Sequence, residues 1–97
     1  MYNLILVDAD RDRTTIHRMN VITGDYLSPK VLKGTLPEQV NSLMKLLETD
    51  MPDKIIFDRN GYGHVFYYYF MERMRIHKDI NIDSFGLIMY GGDASWQ

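Results

Sequence analysis

Cysteine is absent from these 97 residues, which excludes a disulfide framework and a thiolate zinc site together. No run of 18 consecutive apolar residues occurs, so no bilayer-spanning segment is expected. The opening apolar run is far too short for a signal peptide. Neither sign of charge dominates: 11 Lys and Arg against 13 Asp and Glu leave a formal charge of -2, so any nucleic-acid contact must come from a local patch. A Gly-x-x-x-x-Gly-Lys-Ser/Thr loop is missing, and with it the cradle of a nucleotide-hydrolysing motor. The three histidines, at 17, 64 and 77, lack metal-ligand spacing and have no acid or nucleophile at an informative interval. What remains is 45% apolar and 25% charged, the balance of a soluble globular chain. No repeat, linker or low-complexity stretch divides it, so the expectation is a single domain over residues 1–97, cytoplasmic by default.

Residues 2–8 read as a strand apolar on both faces, as a central position requires. A polar turn, Asp8-Ala9-Asp10-Arg11-Asp12-Arg13, leads into a β-branched second strand from Thr14 to Val21. Thr23-Gly24-Asp25 signals a turn, and Tyr26 to Leu32 offers a third strand. Pro29 sends that strand to the sheet edge, because proline cannot donate to a ladder. Thr35-Leu36-Pro37-Glu38 is a capping box with proline in the first turn. Leu36, Val40, Leu43 and Leu47 then share one face at helical spacing, and Met51-Pro52-Asp53 breaks the helix. Residues 54–58 form the fourth strand, parallel because a helix precedes it. A second helix spans about 62–77, and a fifth strand 81–90.

The chemistry gathers at two aspartates. Asp8 closes Leu4-Ile5-Leu6-Val7, and Asp58 closes Lys54-Ile55-Ile56-Phe57. A carboxylate at the end of a buried strand is costly without a partner or an ion. In an open α/β sheet, the carboxyl ends of strands border the crevice where ligands bind. If the two strands are neighbours the acids converge, and converging oxygen donors suit Mg²⁺ or Mn²⁺. The plainer roles are a turn start for Asp8 and a helix cap for Asp58.

Three antiparallel strands followed by αβαβ is the element order of the ribonuclease H-like fold. The expected class is therefore α/β, a five-stranded mixed sheet (order β-β-β-α-β-α-β) with two helices. That fold sets the first and fourth strands side by side. Such sites commonly hold two metal ions roughly 3.5–4 Å apart. Asp8-Ala9-Asp10, leading through Asp12 into Thr14-Thr15-Ile16 and then Val21-Ile22-Thr23-Gly24, resembles the opening strands of the nuclease domain of phage terminase large subunits. Ile55-Ile56-Phe57-Asp58-Arg59-Asn60-Gly61-Tyr62-Gly63 is similar to that family's second acidic strand, and Gly86-Leu87-Ile88-Met89-Tyr90-Gly91-Gly92 falls where its fifth strand would lie.

The resemblance implies metal-dependent cleavage of double-stranded DNA during genome packaging, in the cytoplasm of an infected host. Asp8 and Asp58 would be the catalytic metal ligands, with Asp10 or Asp12 as an auxiliary carboxylate and other terminase or phage chains as partners. That family takes a third essential acid from a helix beyond the fifth strand, where this sequence offers only Asp93. The expectation is the front part of such a domain, inactive alone unless another chain supplies the acid.

Arg11, Arg13 and Arg59, with Arg18 nearby, are candidates to hold DNA phosphates beside the acids. The alternative for the turn arginines is pairing with Asp10 and Asp12 in solvent. Gly61-Tyr62-Gly63 can cradle a phosphate at a helix start, or serve close strand-to-helix packing. In the run Val65-Phe66-Tyr67-Tyr68-Tyr69-Phe70-Met71, Phe66, Tyr69, Phe70 and Met74 make one face for the sheet. Tyr67, Tyr68 and Met71 fall on the other, a candidate interface for another chain or for self-association. The alternative function is thus a non-catalytic interaction module of the same fold, docking through those tyrosines.

Overall fold

The computed structural model describes residues 4–49, 51–58 and 62–76, and the backbone of 86–90. Its elements are β1 (Leu4–Ala9), β2 (Arg13–Asn20), β3 (Asp25–Tyr26), β4 (Lys30–Lys33), α1 (Leu36–Thr49), β5 (Lys54–Asp58), α2 (Gly63–Ile76) and β6 (Gly86–Tyr90). The strands run β3-β2-β1-β5-β6 across the sheet, with β4 also pairing β2. β1 is therefore central, antiparallel to β2 and parallel to β5. β6 extends the parallel part beyond β5. The expected fifth strand is observed from Gly86 onward, and its first five residues lie outside the described ones.

Alternation along the strands explains why β1 sits in the middle. Ile5, Val7 and Ala9 are buried on one face, and Leu4 and Leu6 are half-buried on the other. β5 repeats the pattern with Ile55 and Phe57 inside. Because β4 runs parallel to β5, the crossovers β4–α1–β5 and β5–α2–β6 step the same way along the sheet. Such connections are right-handed, so both helices must fall on one face. They do: Val40, Leu43 and Leu47 of α1 and Phe66, Phe70 and Met74 of α2 join Ile5, Val7, Ile55 and Phe57 in one core cluster. Phe57 is its hub, 5.3 Å from Phe70 and 6.2 Å from Phe66 between ring centroids. Each fully buried phenylalanine contributes on the order of 1.5–3 kcal/mol.

The expected third strand, Tyr26 to Leu32, is divided. Met19↔Tyr26 and Asn20↔Asp25 join β2 to β3, while Ile16↔Lys30 to Arg13↔Lys33 join β2 to β4. Between these stretches His17 and Arg18 face Leu27, Ser28 and Pro29, so one strand carries an extra residue and the ladder bulges. Proline supplies no N–H there. Two hydrogen bonds bridge the break: the Leu27 amide donates to the Arg18 carbonyl (3.1 Å) and the Arg18 guanidinium donates to the Ser28 carbonyl (3.1 Å). Pro29 does lie at the sheet edge, as its chemistry requires.

The capping box forms as expected. The Thr35 amide donates to Glu38 Oε1 (2.8 Å) and the Glu38 amide to Thr35 Oγ1 (3.3 Å), which closes the start of α1. Gly34 precedes it at φ 110°, a left-handed conformation in which a side chain would be strained and would press on Glu38.

Candidate functional site

The β1–β5 register runs from Leu4↔Lys54 to Val7↔Phe57. One step further, Asp8 lies level with Asp58. Val7 and Phe57 point into the core, so by alternation both aspartates emerge on the opposite face, away from the helices. Neighbouring strands lie about 4.8 Å apart, which sets the scale of the gap between the two carboxylate-bearing positions. On the other flank of β1, Asp8 is opposite Thr15 of β2, which adds a hydroxyl to the same face. Asp8, Thr15 and Asp58, with Ala9, Asp10, Arg13 and Tyr62, line one open hollow of about 310 Å³.

Local chemistry holds each wall in place. Asp10 closes the β1–β2 turn: its amide donates to the Arg13 carbonyl (2.9 Å), and its carboxylate accepts the Arg11 amide (2.7 Å). Asp10 is thus used in the turn while also lining the hollow. Among the described residues no three His, Cys, Asp or Glu side chains gather around one point, so Asp8, Asp58 and Asp10 do not close into a three-ligand cluster. Neither the Arg11 nor the Arg13 side chain forms an ion pair among the described residues, so the suggested pairing with Asp10 and Asp12 is not what the turn shows. Arg13 lines the hollow, and Arg18 is committed to the bulge. Arg59 and Gly61 lie outside the described residues.

Gly63 explains how α2 reaches the site. A Cβ at this position would run into the backbone carbonyl oxygen of Asp58 and lie 2.8 Å from its carbonyl carbon. The helix is seated directly on the strand end that carries the acid, which brings Tyr62 to the rim. Close packing, rather than a phosphate cradle, is the use this glycine shows.

Sequence reasoning missed Thr15, Tyr62 and Gln39. Gln39 is fully buried on the core face of α1. Its Oε1 accepts the Thr14 hydroxyl (2.5 Å), and its Nε2 donates to the carbonyls of Gly34 (2.9 Å) and Arg11 (3.3 Å). One amide therefore ties α1 to the turn that carries Asp10 and Arg13. The available signal was a polar residue at an apolar position of the helical repeat.

The tyrosine face also differs from expectation. Tyr67 and Met71 are half-buried and pack against the core, with Tyr67 edge-on to Phe57 at 5.1 Å. Positions 66, 67, 70, 71 and 74 form one stripe at spacings of three and four, wide enough to carry Tyr67 inward. Tyr68, 65% exposed, is the one of the three that stands out in solvent, beside His64.

The strand order, the parallel β1–β5 pair and the two helices on one face define a ribonuclease H-like fold. RuvC of T. thermophilus, solved in complex with Holliday junction substrate, superposes with a TM-score of 0.59 at 13% sequence identity. The match covers 92% of this chain and 64% of that one, so the chain spans less than two thirds of the RuvC it resembles. No family model matches the sequence. No curated protein matches it either. Among the described residues no helix is long and apolar enough to cross a membrane.

Proposed function

We propose that this chain is a metal-dependent nuclease domain acting on DNA, with Asp8 and Asp58 holding a divalent cation, Mg²⁺ or Mn²⁺. The observation that carries the reading is the levelling of two carboxylates on one face of adjacent parallel strands, inside a hollow that also holds an arginine. Two hard oxygen donors at strand-end spacing suit such an ion, with water and substrate oxygens completing its shell. A bound divalent ion supplies Lewis acidity at a phosphoryl oxygen and lowers the pKa of its water. Arg13 would hold the non-bridging oxygens of the scissile phosphate, with Arg11 and Arg59 on neighbouring phosphates. Thr15 would orient Asp8 from across the β1–β2 pair. The likeness to a nuclease-named fold solved on a DNA junction favours DNA as the polymer. A further carboxylate from beyond the described residues, or from another chain, would complete the ligand set. The narrower form of the reading, a terminase-like enzyme working with phage proteins in genome packaging, rests on the motif resemblance around Asp8 and Asp58.

Mn²⁺ titration followed by amide NMR is the direct test. Paramagnetic broadening centred on residues around 8 and 58, and abolished in an Asp8→Asn/Asp58→Asn double variant, is the expected outcome. Broadening absent at millimolar metal, or unchanged in the double variant, would remove the site.

A further inference from the structure

A second concavity of about 430 Å³ lies between β4 and α1, lined by Lys30, Val31, Leu32, Lys33, Ser42, Lys45, Leu46 and Thr49. Three of the chain's five lysines meet here, no acid lines the groove, and the chain as a whole is net negative. None of the three lysines forms an ion pair among the described residues. All three are exposed. The Ser42 hydroxyl donates to the Glu38 carbonyl and that of Thr49 to Leu46, so the lysines are the side chains that remain to donate in the groove.

The groove and the acid hollow share no lining residue, but cross-strand pairing links their walls. Lys33 is the cross-strand partner of Arg13, which lines that hollow. By alternation from buried Leu32 and Thr14, Lys33 and Arg13 share the face on which Asp8 emerges. Lys30 falls on the helix side of the same strand, beside Lys45 of α1. At about 3.3 Å per residue, Lys33 and Lys30 stand roughly 10 Å apart along β4. A line of cations thus leaves the hollow at Arg13, passes Lys33 and wraps the sheet edge to Lys30 and Lys45.

We propose that this edge groove is a docking track for the phosphodiester backbone of a nucleic acid, leading the polymer into the acid hollow. The direction of the track rests on the nuclease reading, while the binding rests on the groove alone. Lysines on an edge strand also protect it from pairing with another sheet. That role accounts for Lys30 and Lys33, but not for Lys45 on a helix or for the link to Arg13.

The test measures affinity for a short fluorescent DNA duplex against salt concentration, without divalent metal, for the wild type and a Lys30→Gln/Lys33→Gln/Lys45→Gln variant. Each lost phosphate contact lowers the slope of log K on log salt by about 0.9, so three lower it by about 2.7. Between 50 and 200 mM salt the wild type should then weaken roughly 40-fold more than the variant. An unchanged slope would overturn the track. So would aggregation of the variant with its slope intact, which assigns the lysines to edge protection, or binding of an acidic peptide with duplex DNA left unbound. Mn²⁺ broadening at residues 8 and 58 is read in parallel on the same variant. Its absence together with a normal salt slope change would sink the nuclease reading and leave the track standing.

Discussion

Gly63→Ala probes whether α2 is truly seated on the strand end that carries Asp58. The added Cβ would overlap the Asp58 carbonyl oxygen and lie 2.8 Å from its carbon. Carbon atoms rest comfortably at about 3.5 Å or more, so helix and strand must separate by about 0.7 Å at the carbon alone, and further at the oxygen. The obstacle is backbone in a strand paired on both sides, to β1 and to β6, and it cannot swing away. Retreat of the helix start would loosen Phe66 and Phe70 against Phe57. Overpacking usually costs about 1–3 kcal/mol, and an unyielding obstacle argues for the upper end, about 3 kcal/mol. In a domain of this size each kcal/mol moves the melting temperature by about 4–8 °C, so circular-dichroism melting should show a fall of roughly 12–24 °C. Gly63 is the first residue of α2, where helix propensity gives alanine an advantage of at most about 1 kcal/mol, so a large fall in melting temperature reports the clash. A variant melting at or above the wild type would refute the close seat, and with it the reason Tyr62 reaches the hollow.

Gln39→Leu keeps the volume but strips partners from the Thr14 hydroxyl and from the carbonyls of Arg11 and Gly34. Thr14 is the buried partner, while Arg11 and Gly34 are exposed residues. At about 1–3 kcal/mol for one buried group left unsatisfied, urea unfolding should register a loss of at least about 1 kcal/mol; a loss under about 0.5 kcal/mol would show the clamp is idle. The Glu38 carboxyl is held below its usual 4.5, first by the Thr35 backbone amide and then by the Thr35 side chain. A depressed folded-state value means that the capping contribution is present above the unfolded pKa and is lost as pH falls through the folded one. Carboxyl-carbon NMR should place the Glu38 midpoint under 4.5, and a midpoint at or above that value would contradict the box.

Local rules carried much of the architecture. Thr35 and Glu38 announce a helix start because both hydrogen bonds close within three residues. Pro29 announces an edge because its missing N–H is a property of one residue. The unbroken apolar runs at 4–7 and 55–57 mark strands covered on both faces, while the choice of Ile5, Val7, Ile55 and Phe57 as the inward set appears only in the folded chain. Bulges and clamps are less visible: the extra residue opposite His17 and Arg18 is defined only against a partner strand. The role of Gln39 depends on Thr14, Arg11 and Gly34, which come together around it only in the folded chain.

The amino-acid string by itself determined that acids end two apolar strands and that a run of antiparallel strands precedes two helix–strand units. It could not say that Asp8 and Asp58 stand level on one face, since that depends on a register between segments fifty positions apart. Nor could it gather Lys30, Lys33 and Lys45, which come from a strand and a helix and meet only when α1 lies along β4. Periodicity and capping are written in neighbouring residues. Register and shared hollows are set by burying one core across all elements at once, so only the folded chain decides them.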